Sequence, residues 1–86
     1  MPAVENRTQM FDNTSMNGAE FIKRVQKMGR RNGVDVQFVT THGKGSHGRL
    51  YYGQRWTTVK DRKKELSKGV LRAMIRQLGL QPEDIL

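Results

Sequence analysis

Apolar residues recur along this chain first at helical spacing, then at every second position, then at helical spacing again. From Asn17 to about Asn32, Phe21, Ile22, Val25 and Met28 fall at i, i+1, i+4 and i+7, the single stripe of an amphipathic helix. Lys23, Arg24, Lys27, Arg30 and Arg31 lie off that stripe. Asn17 is suited to cap the helix, with Glu20 three residues on as in a capping box, and Gly33 is suited to end it. Val34, Val36 and Phe38 then alternate with Asp35, Gln37 and Val39, which predicts a strand with one apolar face. Gly43 to Gly45 interrupt it. Ser46 to Tyr52 predict a second strand, Gly53-Gln54 a tight hairpin turn, and Arg55 to Val59 a third strand. After the charged connector "KDRKKE", a last helix is predicted from about Ser67 to Leu78. Its stripe is Val70, Leu71, Met74, Ile75 and Leu78, with Ser67 as N-cap and Gly79 as terminator. Pro82 opens a short tail with room for one more turn.

The order is α-β-β-β-α, an α+β domain. Short links make the three-stranded sheet antiparallel, and the two helices must share one of its faces to bury their stripes. The other face is left open. Residues 1–15 lack periodicity and are expected to be a flexible N-terminal tail, with the domain at 16–86 and Met16 a candidate alternative start. Side chains alternate along a strand. Leu50 belongs to the core, so Gly48, Leu50 and Tyr52 should face the helices, and His47, Arg49 and Tyr51 should share the open face.

Composition sharpens this picture through charge. The 86 residues carry 16 Lys and Arg against 8 acids, a net charge of +8. Residues 1–20 hold one Arg against three acids, and residues 21–66 hold twelve basic against three acidic. A basic middle on a small domain reads either as a polyanion-binding surface or as a solvated basic face. There is no cysteine, which excludes disulfides and thiolate chemistry and fits the cytosol. No secretory signal or membrane-spanning run is evident, so neither a membrane nor export is expected.

The stretch "THGKGSHGRLYYG", Thr41 to Gly53, holds both histidines. Its Gly43-x-Gly45-x-x-Gly48 spacing matches a dinucleotide loop, but such a loop leads into a helix, and here a strand follows. No nucleotide cofactor is expected. Two histidines without a cysteine or a nearby carboxylate fall short of a metal site, so no metal is expected either. His47 remains as an acid–base group, because histidine is the side chain that titrates near neutrality. RNA supplies its own nucleophile, the 2′-hydroxyl, and a base beside it with cations on the phosphate suffices to cleave the strand. A histidine at that place can equally be a bystander. Around the last helix, Arg62, Lys63, Lys64 and Lys68 lie near an N-terminus that already favours an anion, which makes either a phosphate clamp or a solvated connector. Trp56, the one tryptophan, is expected in the core more than on a stacking surface.

At "KGSHG" and "RWTTVKDRKKELSKGVLRAMIRQLGL" the chain resembles HicA, the toxin of HicA–HicB toxin–antitoxin systems. Lys44-Gly45-Ser46-His47 matches the family's "KGSH". Lys64 to Arg72 matches its "KEL-x-KGTLR", with Val70 in place of Thr. The resemblance covers about residues 16–86. It implies a fold like that of double-stranded-RNA-binding domains, His47 as the catalytic histidine, and a cytoplasmic ribonuclease that cleaves mRNA and arrests translation. It also implies a HicB-like antitoxin that covers the His47 face. Gly48 stands where the family often has a second histidine, and Val59-Lys60-Asp61-Arg62 replaces a "VPVH"-like segment. The segment before "GSH" is also longer than the family's.

Together these lead us to expect a metal-independent mRNA endoribonuclease in which His47 is base or acid. Lys44 and Arg49 would steady the phosphate, and Ser46, Tyr51, Lys63, Lys64 and Lys68 would add contacts to the strand. A non-catalytic RNA-binding module is the alternative, and a DNA-binding partner in autoregulation a third reading.

Overall fold

The computed structural model describes residues 16–40 and 47–86. The expected flexible tail at 1–15, and Lys44 and Ser46 of the glycine loop, lie outside the described residues.

The elements run β1 (Met16–Asn17), α1 (Gly18–Asn32), β2 (Val36–Thr40), β3 (Gly48–Tyr52), β4 (Arg55–Val59), β5 (Glu65–Leu66), α2 (Lys68–Gln77) and α3 (Pro82–Ile85). β2, β3 and β4 form the expected antiparallel sheet in that order. Both helix starts follow from their caps. Asn17 accepts from the Glu20 amide at 2.8 Å, and Ser67 accepts from the Val70 amide at 3.3 Å. The Glu20 carboxylate meets the Arg24 guanidinium one turn on, at 3.3 Å. Gly33 takes left-handed backbone (φ 68°) and closes α1 by donating to the Gly29 carbonyl.

The helices share one sheet face because their stripes have no other cover. Leu50 and Val59 from the sheet and Phe21 and Val25 from α1 are fully buried. Met28 of α1 and Leu71, Met74 and Ile75 of α2 complete the layer. Each such side chain contributes roughly 1.5–3 kcal/mol relative to exposure. Two polar ties fix the helices to the sheet. Asn32 Nδ2 donates to Tyr52 Oη at 2.9 Å, and the buried Thr57 hydroxyl donates to Gln77 Oε1 at 2.5 Å.

The structure departs from the expected elements in two places. Val70, assigned to the α2 stripe, is 50% exposed, because it borders an open hollow between α2 and β4, lined also by Trp56, Thr57, Ala73 and Gln77, rather than a closed core. The connector is also not free. β5 pairs antiparallel with β1, Met16 opposite Leu66, and Met16 is buried in the core. α3 is the extra turn after Pro82, and it adds Ile85 to the core. No helix of the described residues is long and apolar enough to cross a membrane.

Candidate active site

The phase of β3 decides which side chains can act together. Gly48 and Leu50 are buried against the helices, while Arg49 is exposed and Tyr51 half-buried on the opposite side. Carried one residue back, the same alternation puts His47 on the open face with them. His47 is half-buried at the entry of the strand, and its Nδ1 is out of solvent contact.

Ladder register extends this line of side chains into a surface. Tyr51 stands between Gln37 of β2 and Trp56 of β4, and Arg49 stands between Val39 and Thr58. Successive rows are two residues apart, roughly 7 Å along the strand. Trp56 is therefore not in the core, contrary to the expectation for a lone tryptophan. It is 43% exposed on the open face, because Thr57 next to it and Val59 two residues further take the inward positions of β4. Alternation back from Val59 is the sequence signal that finds it. The Arg49 guanidinium lies over its indole, 4.3 Å from the ring centroid, which holds the charge on this face.

A further cation enters through the same register. Gly48 pairs with Val59 at the end of the ladder, and the register continued one step past that pair would set Lys60 across from His47. Lys60 is exposed and follows the buried Val59, which is the alternation of an outward residue. Only the pairing of β3 with β4 reveals this neighbour.

The basic group around the last helix is spread out. Lys68 is exposed at the start of α2, where the Val70 amide is already capped by Ser67. Lys63 shares a surface hollow with Asn17, Glu20, Arg24 and Glu65, two of them carboxylates. The carbonyls of Arg62 and Lys64 accept from the Ala19 and Gly18 amides, so this segment caps α1 rather than α2. The Arg62 guanidinium lies over the Phe38 ring at 5.3 Å. Lys64 is exposed. Lys44 and Ser46, expected beside His47, lie outside the described residues, as does His42. Among the described residues no three His, Asp or Glu side chains lie close enough to share a metal ion.

By this alternation the open face carries an imidazole, a guanidinium, and a phenol beside an indole in three successive rows, with the Lys60 ammonium at the imidazole end. Such a face offers proton transfer, phosphate contact and ring stacking within one strand's length. Residues 18–80 match a family model described as the HicA toxin of bacterial toxin–antitoxin. None of the curated proteins and none of the solved structures compared with the chain matches it.

Proposed function

This chain belongs to the HicA toxin family of bacterial toxin–antitoxin systems, and from that premise we propose that it is a metal-independent mRNA endoribonuclease using His47 as its acid–base group. Cleavage in the cytoplasm would arrest translation and growth until a HicB-like antitoxin covers the His47 face. What supports this reading is the phase of β3, with Arg49 and Tyr51 away from the helices and Leu50 toward them, which continued one residue back from Gly48 sets His47 in line with Arg49 and Tyr51.

The chemistry needs no group beyond the chain, the RNA and water. The imidazole takes the proton of the 2′-hydroxyl, and the freed oxygen attacks the adjacent phosphorus. The bond from phosphorus to the 5′-oxygen breaks, and that oxygen takes up a proton from water, which the imidazolium makes good as it returns to its neutral form. The products are a 2′,3′-cyclic phosphate and a 5′-hydroxyl. Arg49 and Lys44 steady the negative phosphoryl oxygens as charge builds on them, with Ser46, Tyr51, Lys63, Lys64 and Lys68 holding the strand.

Purified native and His47→Ala proteins acting on RNA, with and without EDTA, test the reading. The expected outcome is a fall in kcat of roughly 10²- to 10⁴-fold for His47→Ala, EDTA-resistant cleavage by the native chain, and 5′-hydroxyl ends. Equal cleavage by the variant, or loss of native cleavage in EDTA, overturns it.

A further inference from the structure

We propose that Trp56 and Arg49 form a subsite for an unpaired base next to the scissile phosphate, which makes single-stranded RNA the substrate of the His47 site. This rests on the ribonuclease reading above and specifies the substrate that reading leaves open.

Trp56 is the largest exposed apolar side chain among the described residues, and it lies in the same row as Tyr51 on the open sheet face. One side of its indole is occupied by the Arg49 guanidinium at 4.3 Å. At 43% exposure the rest of the ring remains open to a flat partner. Across the ladder stands Tyr51, a second ring in the same row. Val39, 49% exposed, extends the apolar floor one row toward His47. Rings and a planar cation on an open sheet are what splayed-out bases stack upon.

Charge selects the occupant. Among the described residues, Arg49 and Lys60 are the cations of this face, and its carboxylate is Asp35, just before β2 and held by the Gln37 amide at 3.1 Å. The end next to His47 is therefore positive and suited to a phosphodiester, while the end at Trp56 is suited to a base. Paired bases cannot use this site, since each is covered above and below by its neighbours in the helix. An unpaired base can, and a neighbouring phosphate then falls toward His47.

The chain's single tryptophan reports directly on the proposal. His47→Ala protein is titrated at low salt with a single-stranded oligouridylate and with a blunt RNA duplex of equal length, following Trp56 emission. Quenching by the single strand, at concentrations well below any response to the duplex, supports the subsite. No quenching by the single strand, or an equal response to both, overturns it. An emission change that tracks protein concentration without RNA assigns the face to a second copy and also overturns it. In the cleavage-competent chain, Trp56→Ala should raise KM on a single-stranded substrate roughly tenfold or more at unchanged kcat. Trp56→Phe should retain most of the affinity. Variants indistinguishable from the native chain overturn the proposal. If the native chain cuts no RNA at all, the ribonuclease reading fails, and the quenching experiment still decides whether Trp56 stacks a base.

Discussion

Gly48 opens β3 between His47 and Arg49, and it shows how tightly the open face is backed. A Cβ there would lie 2.5 Å from Phe38 Cζ and 2.7 Å from the Val39 carbonyl oxygen. The ring could turn aside, but the carbonyl belongs to the paired strand. Gly48→Ala is therefore expected to destabilise the domain by about 1–3 kcal/mol, read as a lower urea midpoint at unchanged slope. Gly48→His should destabilise more and bring no gain in cleavage, since position 48 faces the helices. A stable Gly48→His protein that cuts faster would show that this side chain reaches the open face. Lys60 is the opposite case, a residue whose loss should spare stability. Lys60→Ala is expected to lower kcat on RNA roughly ten- to a hundredfold with KM little changed. That is less than a dedicated oxyanion donor supplies, because an exposed ammonium acts through water. Unchanged kcat would remove Lys60 from the site. The alternation His47, Arg49, Tyr51 is legible in the sequence because Leu50 fixes the phase. Lys60 is not, because it opens a run of charges in which no one residue stands out until β3 and β4 are paired.

The elements that escaped the hydrophobic pattern are the shortest ones. β1 and β5 are two residues each, too short to show a period, and "KDRKKE" reads as a solvated linker. Yet the pair folds the connector back across the start of α1, where the Lys64 and Arg62 carbonyls take the Gly18 and Ala19 amides at 3.3 and 2.9 Å. Those amides are among the helix N–H groups that have no partner within the helix. A Cβ at Gly18 would meet the Arg62 Cα at 2.8 Å, so the glycine lets the connector come this close. Met16 anchors the arrangement at 2% exposure. Met16→Ala is expected to reduce unfolding free energy by about 2–5 kcal/mol, while Lys64→Ala in the same connector changes it by less than about 0.5 kcal/mol. Chemical denaturation of both variants checks this. Equal, small effects would mean that the β1–β5 pair adds little to the fold. The longer elements were legible for the complementary reason. α1, β4 and α2 each carry enough turns or alternations, closed by Asn17, Gly33, Gly53 and Ser67, for one reading to win.

At the scale of the whole molecule, cations among the described residues stand on both sides of the sheet. Arg49 and Lys60 lie on the open sheet face. Lys23, Lys27, Arg30 and Arg31 lie on the exposed side of α1, which packs on the other face of the sheet. A short strand bound over His47 can touch the first set and not the second. At physiological salt the second set acts only through a field screened beyond about 8 Å. For His47→Ala protein and a single-stranded oligonucleotide, log K against log salt should fall with a slope of about −0.7 for each phosphate contacted. Arg49→Gln should flatten that slope by about 0.7 and weaken binding. The pair Lys23→Gln with Lys27→Gln should leave both slope and affinity within about twofold of the parent at 0.15 M salt, and slow association only at low salt. Fluorescence anisotropy across a salt series separates the two sets. A loss of slope from the α1 pair equal to that from Arg49 would mean that the RNA wraps from the sheet onto the helix. The binding surface would then be the whole basic middle of the chain rather than one face of three strands.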